Sequence, residues 1–151
     1  MRLVIQRVSQ ASVTVSPDYI QRIGQGMMIL VGVEVGDTEE DVEYVVRKTA
    51  ALRIFDDSEG VMNRSIVDVG GGILAISQFT LLASTRKGNR PSYVRSAPGD
   101  VSKPIYENFC QRLTEACGRM VKRGIFGAHM EVALVNDGPV TVIIDSRQRS
   151  F

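Results

Sequence analysis

GGGILAISQFTLL, residues 70–82, decides the class of fold. Ile73, Leu74, Ala75 and Ile76 are a continuous apolar run that ends in Leu82, and the spacing predicts a buried strand over 73–82. The three glycines ahead of it read as a tight connection and not as a phosphate cradle, because a strand follows them instead of a helix N-terminus. Upstream, Val42, Val45, Val46, Thr49 and Leu52 recur at close to 3.6 residues behind Asp37 and Thr38, and Thr38 with Asp41 resembles a capping box. Downstream, Ile105, Phe109, Leu113, Ala116, Cys117 and Met120 form a second helical stripe. Ser102 is its candidate N-cap, Pro104 lies in its first turn, and Lys122, Arg123 and Gly124 are placed to end it.

A strand between two amphipathic helices calls for a layered α/β arrangement. The ends of the chain add more strand. Leu3, Ile5, Val8, Val13 and Val15 suggest opening strands, and Gly24 and Gly26 punctuate the turn before an apolar run from Met27 to Val33. Asp56, Asp57, Ser58 and Gly60 form a turn, and Met130–Val135 and Val140–Asp145 read as two strands around a hairpin turn at Asn136–Asp137–Gly138–Pro139. The expectation is one mixed α/β domain over residues 1–151, since 151 residues fit a single core and no linker or repeat divides them.

Composition narrows the chemistry. A net charge of +1, 44% hydrophobic and 23% charged residues argue against a disordered chain and a uniformly basic nucleic-acid binder. One histidine, His129, and two cysteines, Cys110 and Cys117, are too few for a histidine cluster, a cysteine-rich metal site or a disulfide framework. On one helix the two cysteines would lie roughly 10 Å apart, too far for a bond. No metal or other cofactor is expected. The polar interruptions of the first fifteen residues give no signal-peptide core, and no apolar run approaches the ~20 residues of a membrane span, so a cytoplasmic protein is expected.

Charge is uneven along the chain. Residues 1–83 hold seven basic and eleven acidic side chains, residues 84–124 nine and three, and residues 125–151 two and three. Arg86, Lys87, Arg90 and Arg95 share a polar loop with Tyr93 and no acid before Asp100. Such a loop is either a solvated surface or a place where cations grip phosphates and an aromatic stacks on a base. Strand alternation over 73–82 would put Ser77, Phe79 and Leu81 on one face and Gln78 and Thr80 on the other. Cross-strand hydrogen bonding accounts for such side chains, and no neighbouring base marks Thr80 or Ser77 as a nucleophile. The Gly138–Pro139 bond has an accessible cis state, and its glycine permits close approach of main chain to a ligand.

Taken together, MRLVIQRVSQASVTV (1–15), LRIFDDSEGVMNRS (52–65), SQFTL (77–81), KGNRPSY (87–93) and FGAHMEVALVNDGPVT (126–141) resemble the D-aminoacyl-tRNA deacylases. SQFTL upstream of NDGPVT is the most specific pair, while Tyr93 stands where phenylalanine is common and Ser16–Gln21 is irregular for the early hairpin. The resemblance implies a barrel-like β core packed by two main helices, and a homodimer that hydrolyses the ester between a D-amino acid and tRNA. It also implies removal of glycine mischarged onto alanine tRNA. Ser77, Gln78, Phe79 and Thr80 match the segment lining the pocket, and the resemblance implies catalytic roles there. Gly138 and Pro139, matching a Gly–cis-Pro motif, would reach into the partner's pocket and exclude L-amino acids, with Met130 and Asn136 as further substrate-binding residues. The chemistry implied is substrate-assisted, with the 2′-hydroxyl of the terminal adenosine helping to activate water and the Gln78 and Phe79 N–H groups facing the carbonyl oxygen. Arg86, Lys87 and Arg90 are the expected tRNA contacts, and His129 falls at a variable position rather than as a base. The alternative on the same fold is a non-catalytic aminoacyl-tRNA or RNA-binding module; a metal hydrolase is disfavoured by the single histidine.

Overall fold

The opening alternation forms one long strand, β1 (Arg2–Ser16, 15 residues), not several. In the computed structural model, which describes residues 1–150, this strand is the spine of the main sheet. Its first half pairs antiparallel with β3 (Gly26–Gly32), from Arg2 opposite Gly32 to Val8 opposite Gly26. Its second half pairs with β2 (Tyr19–Ile23), from Ala11 opposite Ile23 to Ser16 opposite Tyr19. The helix α1 (Glu39–Ala50) follows β3, then a small hairpin of β4 (Phe55–Asp56) and β5 (Met62–Arg64), and the short helix α2 (Ile66–Val69). The strand β6 (Gly72–Ser77) runs parallel to β3 and to β7 (Lys122–Arg123), which the long helix α3 (Gly99–Cys117) precedes.

Along its other edge β1 meets β8 (Glu131–Asp145), again 15 residues. This corrects the hairpin expected at 136–139. Arg2–Gln6 face Asp145–Thr141 and Val8–Thr14 face Asn136–Glu131, so both parts of β8 run antiparallel to the same strand. Between Gln6–Thr141 and Val8–Asn136 the register shifts, and Asp137–Val140 bulge out of a strand that continues. Turn-forming residues here serve a bulge. Wrapping β1 between β3 and β2 on one edge and β8 on the other rolls the sheet into a barrel-like shape, which bears out the mixed α/β expectation.

The run Met27–Val33 is buried on both faces, as a parallel-paired central strand should be. Met27, Ile29, Ile73 and Ala75 join the cluster under the helices, with Val42, Val45, Phe109 and Leu113. Met28, Leu74 and Ile76 join Val8, Val13 and Ile23 in a second cluster on the opposite face. The glycines at 26 and 72 face each other across β3 and β6, and a Cβ on Gly26 would overlap the Gly72 carbonyl oxygen. Close strand approach therefore explains Gly26, while a Cβ on Gly72 would meet Ile23 Cβ at 2.9 Å and Gly70 ends α2 at φ 60°.

Helix α1 begins as expected, the Thr38 N–H donating to Asp41 at 2.8 Å. Helix α3 departs from expectation at both ends. Pro98 is its N-cap, Ser102 is an interior buried residue, and Gly118 in the left-handed region ends it six residues before Gly124. Lys122 and Arg123 are strand, and Met120 is 78% exposed. The buried face of α3 is Ser102, Tyr106, Phe109, Cys110 and Leu113, and both cysteines are free.

The ends of β1 and β8 are clamped by Arg2, whose Nε donates to Asp145 Oδ2 at 2.9 Å. Burial pushes the Asp145 carboxyl up, but hydrogen bonds from the Arg147 N–H, from Arg2 and from the Gln148 N–H, with the charge of Arg2, hold it below the ordinary value. Its stabilising contribution is therefore present above pH ~4 and lost as pH falls through the lower folded value. Replacing Asp145 by Asn should cost about 1–3 kcal/mol at neutral pH. Thermal unfolding of both proteins from pH 7 downward should show the difference in Tm shrinking as the wild-type carboxyl is protonated.

Candidate active site

β6 stops at Ser77, and this corrects the strand expected to run to Leu82. Phe79–Leu82 are a single 3-10 turn, with Gln78 as its N-cap at φ −145° and ψ 83°. The alternation expected for Ser77–Leu81 is thus absent. The first N–H groups of a helical turn have no partner within it, so this change of structure presents main-chain donors at the end of a buried strand. The Gln78 N–H is taken, donating to the Val31 carbonyl at 2.8 Å. Donors remain at Phe79 and Thr80. Gln78 is therefore corrected from oxyanion donor to a residue that anchors the turn, its side-chain amide donating to the Thr80 hydroxyl.

Beside this turn lies a cavity of ≈ 460 Å³. Ser77, Gln78 and Phe79 form one wall, Ser96 and Ala97 the loop side, Ser102 and Tyr106 of α3 another, and Phe126–Met130 the last. Val31 and Val33, at the end of β3, contribute apolar floor. Met130 is thus at the cavity, as expected, whereas Thr80 is not among the lining residues. Tyr106 braces the floor: its hydroxyl donates to the Ala75 carbonyl at 2.9 Å, and its ring lies 5.8 Å from that of Phe126. Burial is the main reason its phenol titrates far above the ordinary tyrosine value, and burial likewise pushes Cys110, a turn further on, to about 11. Neither exchanges protons near neutrality. His129 lines the cavity from an exposed position, and no carboxylate is among the lining residues.

The Asn136–Pro139 bulge lies outside this cavity. Gly138–Pro139 is cis, one of the two states open from sequence. Gly138 sits at φ 136°, and a Cβ there would meet Val140 Cγ2 at 2.7 Å. Within the chain Asn136 is a strut of the bulge: its side-chain amide donates to the carbonyls of Arg7 and Val140, both at 3.0 Å. Arg7, which sequence reasoning missed, is 8% exposed beneath the bulge. Its guanidinium donates to the Ile54 carbonyl at 2.8 Å, to Asp56 at 3.1 Å and to the Asp137 carbonyl at 3.1 Å, and pairs with the Asp137 carboxylate at 3.2 Å. One buried arginine in the alternating strand was the available signal. Asp137, Gly138 and Pro139 themselves are exposed.

Arg86, Lys87 and Arg90 stand on the exposed loop between the 3-10 turn and α3, pinched at its base by paired main-chain bonds between Ser84 and Ser92 of 2.8 and 2.9 Å. They do not line the cavity. No group of three His, Cys, Asp or Glu side chains that could hold a metal lies among the described residues.

Comparison with known proteins connects this geometry to a family. The model of D-Tyr-tRNA(Tyr) deacylase matches residues 4–145. The chain belongs to this deacylase family. It is 54% identical over 149 residues to a D-aminoacyl-tRNA deacylase of Porphyromonas gingivalis, covering 99% of both chains. To the protein of the same name from Bacteroides fragilis it is 56% identical over 149 residues, again covering 99% of both. Among solved structures, a c-Myc DNA unwinding element binding protein matches with TM-score 0.89 and 38% identity, over 96% of this chain and 98% of that one. A probable eukaryotic D-amino acid tRNA deacylase shares the fold, with TM-score 0.82 and 20% identity over 95% and 97% of the two chains.

Proposed function

We propose that this protein hydrolyses the ester between a D-amino acid and the 3′ end of tRNA, releasing both, and does so in the cytoplasm. The observation that carries the reading, in a chain of the deacylase family, is the cavity wall at Ser77–Phe79, where main-chain donors open into a space with no buried base. Acyl transfer needs stabilisation of the oxyanion and a proton acceptor. Phe79 supplies its main-chain N–H for the oxyanion. The substrate's own 2′-hydroxyl orients the attacking water and relays its proton, accepting it while passing its own to the departing 3′-oxygen, and Ser77, Gln78 and Met130 position the ester. Thr80 is no nucleophile in this scheme, since its hydroxyl accepts from Gln78 and no base adjoins it.

Chirality is set by a second copy of the chain. Gly138–Pro139 does not reach its own cavity, but it is exposed, and the strand carrying it exposes Val135 and Ile143 at 49% and 42%. Pairing two copies through β8 would seat the Gly138–Pro139 main chain of each at the cavity of the other. An L-side chain would collide with those carbonyls, a D-side chain would point away, and glycine, having none, would pass. Glycine mischarged onto alanine tRNA is accordingly a second substrate. Arg86, Lys87 and Arg90 hold phosphates of the tRNA.

Pure protein incubated with D-tyrosyl-tRNA and L-tyrosyl-tRNA should release D-tyrosine only; retention of the D-ester would indicate a binding module, and equal loss of both would defeat the steric gauge. Thr80→Ala should keep substantial turnover, and its complete loss with folding and tRNA binding intact would restore Thr80 as nucleophile. Replacing Arg86, Lys87 and Arg90 by Gln should weaken tRNA binding and flatten its dependence on salt, by about 0.9 for each duplex phosphate no longer neutralised or ~0.7 for each phosphate of a single strand. An unchanged slope would return the loop to a solvated surface.

A further inference from the structure

Two exposed aromatic rings stand at the rim of the cavity. Phe79, 57% exposed, packs against Tyr93, 39% exposed, with ring centroids 4.9 Å apart and an interplanar angle of 67°. Large apolar side chains are ordinarily withdrawn from water, and a contiguous exposed group of them at a site edge marks a binding surface. The pair is also built to hold its place. Ser96 Oγ donates to the Phe79 carbonyl at 2.9 Å, the Val35 N–H donates to the Arg95 carbonyl at 2.9 Å, and Arg95 Nε donates to Glu34 at 2.9 Å. The two stems of the loop that carries Tyr93 are thereby tied to each other, and the second to the chain that follows β3.

The surroundings of the rings are cationic. Residues 83–99 contain no acidic residue; Arg95 is paired with Glu34 at 2.9 Å, which leaves Arg86, Lys87 and Arg90 as the exposed cations of the loop. Exposed rings among guanidinium and ammonium groups suit an unpaired nucleotide, whose base stacks on a π-face while its phosphate meets the cations. A solvated charged loop alone would not need Phe79 and Tyr93 packed edge to face beside the cavity.

We propose that Phe79 and Tyr93 form a stacking platform for an unpaired base of the tRNA 3′ end upstream of the terminal adenosine, Phe79 carrying the base and Tyr93 holding the Phe79 ring in place. The inference rests on the aminoacyl-tRNA reading of the cavity. With the terminal esterified nucleoside in the ≈ 460 Å³ cavity, the preceding nucleotide must leave over its rim, and Phe79 belongs to both the wall and the rim. Stacking is indifferent to base identity, so the platform fixes the path of the single strand without selecting among tRNAs. Tyr93 is a positioning residue, acting through Phe79.

The test compares two substrates. With D-aminoacyl-tRNA, Tyr93→Leu should raise KM by between about 5-fold and 150-fold, the range set by base–aromatic stacking, with kcat held. With the D-amino acid esterified to adenosine alone, which has no upstream nucleotide, neither constant should change, and Tyr93→Phe should restore the tRNA value. Equal losses on both substrates would place the rings in the nucleoside pocket and overturn the platform, as would an unchanged KM on tRNA. Should the wild type hydrolyse neither ester, the deacylase reading fails by itself. The platform is then judged from fluorescence anisotropy with uncharged tRNA, intact or trimmed of its unpaired 3′ nucleotides. Trimming should weaken wild-type binding more than that of Tyr93→Leu; equal sensitivity to trimming in the two proteins, or none in either, would overturn it.

Discussion

Everything else in this molecule is arranged around the pairing of β1 with β8. Two strands of 15 residues lie side by side, Arg2 opposite Asp145 at one end and Thr14 opposite Glu131 at the other. Along its second edge β1 has two partners, β3 and then β2, so the spine couples the parallel half of the sheet to the antiparallel half. A strand of this length cannot lie flat; the right-handed twist accumulated over it rolls the sheet. The roll encloses one apolar cluster and leaves the other to be covered by α1 and α3. The cavity then opens where β3 and β6 run out, under the start of α3.

The pairing also makes possible the bulge at its middle. Gln6 and Val8 of β1 bracket a single residue, Arg7, while Thr141 and Asn136 of β8 bracket the whole stretch Asp137–Val140. Without support the surplus chain would move freely, but Arg7 sends its side chain beneath the bulge. It holds the Asp137 carbonyl and carboxylate there, with Asn136 closing the other side. A buried guanidinium is costly unless its donors are used, and the bonds to Ile54, Asp56 and Asp137 use those of its Nε and Nη1. The result is exposed main chain at Gly138–Pro139 that is stiff although it projects. For the proposed role of excluding a ligand by collision, stiffness is the property that matters.

Much of the architecture was legible in the residues. The capping box at Thr38 and Asp41, the buried face of α1 and the doubly buried Met27–Val33 follow from periodicity and local side-chain chemistry, and all are present. The failures share a cause. At 136–139, Asn, Asp, Gly and Pro are turn formers, and local preference cannot distinguish a hairpin from a bulge; the difference is which strand the next five residues pair with. At 77–82 the apolar pattern continues past Ser77, but the Gln78 N–H makes the last bond to β3, at Val31, and the chain then turns away, with Ser96, distant in sequence, binding the Phe79 carbonyl. Serine is a good helix cap, yet Pro98 begins α3 and Ser102 is buried within it. SQFTL and NDGPVT located the functional segments through family likeness. Arg7, Tyr106 and the closing of the cavity by Phe126, Gly127 and Ala128 beside Met130 could only be assembled by the fold.

The scarcity of titratable side chains in the cavity has a consistent physical meaning. A general base buried beside an aminoacyl ester would have to be desolvated, and among the described residues the ionisable groups lining the cavity are Tyr106, neutral through burial, and exposed His129. A base of that kind would activate water against L- and D-esters alike. In the proposed chemistry the acceptor travels with the tRNA, so activation depends on how the terminal nucleoside is seated. Discrimination then reduces to geometry. On that proposal the Phe79 N–H would fix the carbonyl, the bulge of a second copy would limit where the side chain can point, and the rings of Phe79 and Tyr93 would direct the strand leading in. Each element acts by position, and positions held by backbone hydrogen bonds do not change with pH across the physiological range.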